Sequence, residues 1–353
     1  MCFSNRSVEM TAAAFSIVLI IGVLMAPQPA YATVPACGST ITRNTTLTGD
    51  MSCSTPDSTG LTIGANWITL DCAGHSITGP GLVGISLSGR TGVTVKNCIV
   101  KNWLTAFFFE SSSSNTLTSN TASSNIGYGF DFVSSSNKNT LTRNTASDNG
   151  ADGFYFKSSS SNTLTGNTAS GNAKNGFDLV SSSNKNTLTR NTASGNGGWG
   201  FYFDLSSSNS LTGNTASGNG GDGFYFHSSS SNILKGNTAS GNTYVGFFFS
   251  SSSSNSLTGN TASGNSATGF IFTGSSSNTL AGNAAKSNLG DGFWLDSSSS
   301  GNTLIGNAAN SNQRYGYEDG STGSRTAGTA DTYFGNIAIG NKLGASKPTG
   351  LAI

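Results

Sequence analysis

The sequence predicts an all-β fold: one solenoid, a parallel β-helix with three strands in each coil of about 23 residues. Three observations carry that prediction. A stretch opening Ser111-Ser112-Ser113-Ser114-Asn115-Thr116-Leu117-Thr118 returns nine times, with its leucine at 117, 141, 164, 188, 211, 234, 257, 280 and 304, in steps of 23 or 24 residues. A fixed period of that size is the signature of a repeat architecture. Within each copy, large or apolar residues alternate with polar ones in three short stretches, and alternation at period two means strands with one buried face. Asparagines then close the corners, Asn115, Asn120 and Asn125 in the first copy and Asn139, Asn144 and Asn149 in the second. Ser, Thr, Asn and Gly are poor helix formers, and no segment between the corners has helical spacing.

The first strand of a coil is Thr116-Leu117-Thr118, the second Thr121-Ala122-Ser123 and the third Gly129-Phe130-Asp131-Phe132. Leu117, Ala122, Phe130 and Phe132 form the inward set, with Thr116, Thr118, Thr121, Ser123 and Asp131 outside. Asparagine tolerates left-handed backbone angles, which suits it to the corners. Coils stacked about 4.8 Å apart bring phenylalanine over phenylalanine within the roughly 4.5–7 Å favoured by ring pairs. They also let identical asparagines bond up the stack as amide ladders. One coil buries too little to offset the ordering of its own chain, so the array holds together cooperatively. Leucine-rich repeats also place Asn three residues after Leu, but with several leucines per repeat. Pentapeptide repeats are excluded because the full period is not a multiple of five.

Taken in order, residues 1–32 read as a secretory signal peptide: Arg6 in a short polar start, an apolar run from Ala12 to Met25, and the A-x-A cleavage site Ala30-Tyr31-Ala32. Export permits disulfides. Cys37, Cys53, Cys72 and Cys98 lie in the first quarter of the mature chain, and structural disulfides there are expected, with three pairings open. Residues 33–110 hold a cap and irregular first coils, with strand-like alternation at Leu61-Thr62-Ile63, Ile68-Thr69-Leu70, Gly84 to Leu87, Val93-Thr94-Val95 and Ala106 to Phe109. His75 is expected to be a corner residue bonding local backbone. Nine regular coils occupy 111–319. After Leu304 the pattern decays: Tyr317 replaces the first Phe and Asp319 the second, and over 320–353 Gly320 to Thr329 form a loop and Tyr333 to Ile339 supply a last strand closing the open end.

The run Ile68-Thr69-Leu70-Asp71-Cys72-Ala73-Gly74-His75-Ser76-Ile77-Thr78-Gly79, followed by many N-x-L-x-x-N and G-F-x-F coils, resembles the NosD-like, pectin-lyase-like group of secreted right-handed β-helices. The resemblance runs from about residue 37 to the C-terminus. It implies a right-handed winding and an extracellular or periplasmic location. It does not imply one activity, since the scaffold hosts lyases, hydrolases, epimerases and non-catalytic proteins. The NosD name is associated with copper delivery. Here the mature part holds one methionine, Met51, and no histidine cluster, so neither copper nor another metal is expected, and calcium has no motif.

The net charge of +1 and the 9% of charged residues offer no basic field for nucleic acid and no membrane patch. Chemistry is best sought on the outward positions of the phenylalanine strand. The residue between the two Phe positions runs Phe108, Asp131, Tyr155, Asp178, Tyr202, Tyr225, Phe248, Ile271 and Trp294; its outward neighbour two residues on runs Glu110, Val133, Lys157, Val180, Asp204, His227, Ser250, Thr273 and Asp296. Tyr155, Tyr202, Tyr225, Phe248 and Trp294 are read as an exposed aromatic strip that binds an extracellular polysaccharide, since sugar rings have apolar C–H faces. Asp178, Asp204 and His227 are the candidate acid–base residues of a lyase, hydrolase or epimerase on the same face. Asp152-Gly153 and Asp222-Gly223 read as turn pairs. Outward T-x-T pairs such as Thr116/Thr118 raise ice binding or a purely structural role, but the array breaks at Ile233/Lys235, Ala281 and Ile305.

Overall fold

The computed structural model describes residues 31–56 and 58–351. Three parallel sheets, of 14, 13 and 14 strands, run the length of a rod, and successive strands of each sheet come one from each coil. The first sheet carries the leucines, the second the alanines and the third the phenylalanines. Registers match like to like: Leu117 on Leu141, Ala122 on Ala146, Phe130 on Phe154. The expected leader, residues 1–32, lies outside the described residues save Tyr31 and Ala32, which with Thr33 form the first strand.

Leu117, Ala122, Phe130 and Phe132 are fully buried, as are their counterparts in each later coil as far as Leu304 and Ala309. The first-Phe column is unbroken from Phe107 to Phe293, its rings stacked nearly parallel with neighbours 4.6–4.8 Å away. It ends on Tyr317, 5.0 Å beyond Phe293. From Phe130 onward each phenylalanine strand is preceded by a glycine because a side chain there is crowded by the next coil. A Cβ on Gly176 would lie 2.7 Å from both the Ala193 methyl and the Gly200 carbonyl oxygen.

The corners differ from expectation. The left-handed residue is the one before each asparagine, as at Ser114, Ser119 and Ser124 with φ of 58°, 57° and 54°. Asn115, Asn120 and Asn125 themselves turn inward and are buried. The reason is hydrogen bonding. Asn120 donates its backbone N–H and its side-chain Nδ2 to Oδ1 of Asn144, both at 3.0 Å, and Asn144 Nδ2 also donates to the Leu117 carbonyl at 2.9 Å. Buried polar groups at a sharp corner are thereby satisfied from coil to coil. Three such amide ladders climb the rod, and a fourth, of serine hydroxyls, runs beside them, as where Ser183 N donates to Ser206 Oγ. The first ladder ends not on asparagine but on Asp331, whose Oδ1 accepts from Asn302 N and Nδ2 at 2.6 and 3.1 Å.

The early coils begin at Ser39–Ile41 and run in register into the regular array, with Leu87 beneath Phe109 and Phe109 beneath Phe132. Two disulfides fasten them, Cys37–Cys53 and Cys72–Cys98. The amide of His75 donates to the Cys72 carbonyl at 2.7 Å, and its ring faces Asp50. At the far end, Tyr333 to Ile339 is not one closing strand. It forms two, Thr332–Phe334 and Ile337–Ile339, which extend the leucine and alanine sheets, while Gly344–Lys347 extends the third. The chain completes one more coil there because Tyr333 and Ala338 take the inward places above Leu304 and Ala309.

Candidate functional site

The outward row of the phenylalanine sheet holds its register throughout, so Tyr202, Tyr225 and Phe248 are neighbours in successive coils. Tyr225 and Phe248 stack at 4.8 Å and 10°. Face-to-face stacking hides a face of each ring, and all three side chains are half-buried. The row therefore offers less open ring surface than a string of separate aromatics. Tyr155 and Trp294 are set apart from this trio, Tyr155 by Asp178 and Trp294 by Ile271. Tyr155 stacks instead on Tyr128, at 4.9 Å.

Three aromatic residues missed in the sequence, Tyr128, Trp199 and Tyr244, come from the corner that leads from the alanine sheet to the phenylalanine sheet. That corner brings Tyr128, Asp152, Asn175, Trp199, Asp222 and Val245 to equivalent places, each immediately before the glycine of its strand. Trp199 folds onto the row, 4.4 Å from the Tyr202 ring and 5.3 Å from that of Tyr225. Tyr128 does the same to Tyr155. Reading the column just before G-F-x-F, as well as the columns inside it, would have found Tyr128 and Trp199.

Between Trp199 and the exposed ring of Tyr244 lies a groove of about 640 Å³, lined also by Tyr225, Val245 and Phe248 and floored by the glycine corners 197–198 and 220–221. Side chains on that floor would close it: a Cβ on Gly221 would come 2.5 Å from the Trp199 ring, and one on Gly198 would come 2.4 Å from Asn175 Oδ1. Gly127 and Gly290 also stand at the second place of this corner, and other coils carry Lys174, Tyr244 or Arg314 there, but two adjacent glycines occur at this corner only at 197–198 and 220–221.

Carboxylates stand along the same face, and one of them, Asp222, lines the groove. Asp131 and Asp178, expected on the surface, are instead 8% and 7% exposed. The cause is steric: each short side chain sits between two rings of the row, Asp131 between Phe108 and Tyr155, Asp178 between Tyr155 and Tyr202. In each, Oδ1 is buried without a partner. Burial first, and then the charge of Asp152, push both carboxyls up to about 7. Asn175 bridges this group, accepting from Trp199 N at 2.9 Å, donating Nδ2 to Asp178 Oδ2 at 3.0 Å, and giving its own N–H to Asp152 Oδ1 at 2.7 Å. Asp222 accepts from Val245 N at 2.8 Å, and burial raises it to about 6. Asp152 and Asp222 thus bond across coils, which a simple turn pair would not do. Asp204 and His227 meet, with Nδ1 and Oδ1 2.6 Å apart and both side chains partly exposed. Asp178 lies one coil below Tyr202 and takes no part in that contact.

Two family models match the chain. One is the right handed beta helix region, over residues 47–193 and 83–239; the other is the periplasmic copper-binding protein (NosD), over residues 189–342. No curated protein matches it. Among solved structures, the A-module of Azotobacter vinelandii mannuronan C-5 epimerase AlgE6 is similar with a TM-score of 0.63 at 18% identity, over 86% of this chain and 87% of that one. The AlgE4 A-module from the same organism has a TM-score of 0.56 at 17% identity, over 88% and 90%. A double mutant of the periplasmic alginate epimerase AlgG has 0.55 at 12% identity, over 86% and 79%. At these identities the likeness is one of fold.

The copper suggested by the second family model does not fit the residues. Among the described residues no three His, Cys, Asp or Glu side chains group so as to hold a metal. His75 and His227 each face a single aspartate, and Cys37, Cys53, Cys72 and Cys98 are consumed in disulfides.

Proposed function

The chain belongs to the right-handed β-helix family, and from that premise we propose that it is an exported protein that binds an extracellular polysaccharide at the groove beside Trp199, Tyr225, Tyr244 and Phe248. The observation that carries this reading is the groove itself, an aromatic concavity on a rod whose other two outer faces are mostly threonine and serine. A pyranose ring is apolar on its C–H faces and polar at its rim, so it matches an aromatic wall with a few polar groups at the edge. The solved structures that share the fold include enzymes named for mannuronan and alginate, which favours a glycan as the ligand class. Export accords with the expected leader, with two disulfides and with the periplasmic description of the NosD family model. Among the described residues no helix is long and apolar enough to cross a membrane.

Affinity electrophoresis against plant and bacterial glycans tests the proposal. Retarded mobility for the native chain, lost in Trp199→Ala/Tyr225→Ala, supports it; equal mobility of both proteins in every gel ends it.

A second reading, acid–base chemistry on the bound glycan, is favoured by the 2.6 Å Asp204–His227 contact beside Tyr225. An imidazole oriented by a carboxylate can take and return a proton at the sugar, and Asp178 adds a carboxyl held up to about 7 by burial. Its test is product release from the same glycans. Turnover that survives Asp178→Asn, Asp204→Asn and His227→Ala in combination places any reaction elsewhere.

A further inference from the structure

We infer that the groove selects an uncharged polysaccharide over a polyuronate. The inference rests on the reading of the groove as a glycan site, and it names the class of glycan. Its basis is which charges stand around the groove and how they are held.

A chain of uronates places a carboxylate on every sugar, and recognising it takes fixed cations, above all forked guanidinium groups that grip a carboxylate through two bonds. The groove has none. Its lining contains one cation, the exposed ammonium of Lys174, and one anion, the buried carboxyl of Asp222. Arg143 and Arg190 stand on another corner, each just before the asparagine that follows a leucine strand, across the rod from this face. His227 is occupied by Asp204 at 2.6 Å. An exposed lysine on a flexible stem is screened and gives little to a repeating anion.

The anions, by contrast, are rigid and poorly solvated. Asp178 is 7% exposed with Oδ1 unpartnered, and Asp222 is 6% exposed with Oδ1 taken by Val245 N. Asp152, 3% exposed, lies one coil before Asn175, whose N–H it accepts. At pH 8, above the values near 7 and 6 to which burial raises Asp178 and Asp222, a uronate carboxylate docked over Tyr225 would face like charges in a low-dielectric wall, where mismatch costs most. A neutral pyranose meets no such penalty. It needs apolar wall and close approach to backbone, which Trp199, Tyr225, Tyr244 and the glycine floor supply. The coil repeat, seen in ring spacings of 4.7–4.8 Å, is close to the length of one sugar unit, so successive rings suit successive sugars without any charge to anchor them.

Isothermal titration at pH 8 of the purified full chain with three hexasaccharides tests this: a neutral β-glucan, an N-acetylglucosamine oligomer and an oligouronate, each at low and high salt. At least one neutral hexamer is expected to bind with an affinity that salt barely changes, and Trp199→Ala to weaken it about tenfold, the size of one lost aromatic contact. The oligouronate is expected to give no heat. Asp178→Asn/Asp222→Asn, which keeps the amide acceptors and removes both charges, is expected to bring the oligouronate into measurable range. Tighter binding of the oligouronate than of either neutral hexamer overturns the inference while leaving the glycan reading in place. Silence from all three overturns the glycan reading and this inference with it.

Discussion

Replacing one rung in the middle of an amide ladder tests the account of what holds the rod together. Asn191 is fully buried, and its side chain makes four hydrogen bonds. Oδ1 accepts from the N–H and Nδ2 of Asn167 at 2.9 and 3.0 Å; Nδ2 donates to the Leu164 carbonyl at 2.9 Å and to Asn214 Oδ1 at 3.0 Å. Asn191→Leu keeps the γ-branched outline and removes all four, leaving two donors of Asn167 in a dry interior. At about 1–3 kcal/mol for each buried orphan, the loss is about 2–6 kcal/mol. Asn191→Asp retains the acceptor but turns a carboxylate oxygen toward Leu164 O and Asn214 Oδ1. Its folded pKa is therefore expected to rise above the unfolded value of about 3.9, so the variant is most stable below that value and loses stability as pH climbs through the folded pKa. Asp331→Asn, at the ladder's end, is expected to change stability by less than about 1 kcal/mol, since Oδ1 serves only as an acceptor there and an amide in place of Oδ2 can donate to Ser321 Oγ, which donates to Oδ2 at 3.2 Å in the native chain. Urea unfolding together with hydrogen exchange at the Asn167 amide reads all three. A change under about 1 kcal/mol in Asn191→Leu, or equal effects of Asn191→Asp and Asp331→Asn, would show that the ladders are bystanders to packing.

Further expectations follow from packing, burial and cross-linking. Gly176→Ala should destabilise by about 1–3 kcal/mol through overpacking against Ala193 and the Gly200 carbonyl, seen as a lower Tm. Gly195→Ala, at φ +61° with open space around it, should cost only the backbone penalty of about 1–2 kcal/mol and leave ladder amides protected. The Asp131 and Asp178 carboxyls, raised to about 7, and that of Asp222, raised to about 6, hold protons in the folded chain that the unfolded chain releases above about 4. Stability should accordingly fall as pH rises from 4 toward 7, in steps flattened by Asp131→Asn; a Tm series that rises across that window contradicts the burial argument. Reducing Cys72–Cys98, which closes 26 residues, should cost about 3 kcal/mol. Exchange should speed up in the first coils and stay slow in the coils around Leu211; an even loss along the rod would count against a local staple.

Much of this fold was legible because one rule, like over like at a fixed period, governs both sequence and structure. The leucine, alanine and phenylalanine columns followed directly, and so did the register that brings Asp204 to His227. What escaped was set by contacts between columns. The left-handed residue at each corner precedes the asparagine, because a buried amide that accepts two bonds and donates two outweighs its own tolerance for positive φ. Asp131 and Asp178 sit on outward positions by alternation, yet tall neighbouring rings bury them. Trp199 and Tyr128 lie outside the alternating strands, so a search for strands passes them by. The Cys72–Cys98 pair had a readable signal, a separation of 26 residues that nearly equals one coil. Cys37–Cys53, 16 apart, matches no whole turn and needed the irregular path of the first coil.

The amide ladders all point one way, and this gives the rod a sense of direction as well as a length. A segment of 23 or 24 residues presents acceptors to the coil before it and donors to the coil after it. Whole units can therefore be duplicated or excised at any point in the middle with both cut faces still complementary, while a unit set in backwards would meet its neighbours donor to donor and acceptor to acceptor. The ends obey the same polarity. The opening rung is approached only by backbone N–H groups, of Val93, Cys98 and Trp103, and in the first ladder the closing rung is an aspartate with nothing left to donate. Length in such a chain is free to drift by integers, and the Gly-Gly corners beside Trp199 mark where one stretch of otherwise interchangeable units has become particular.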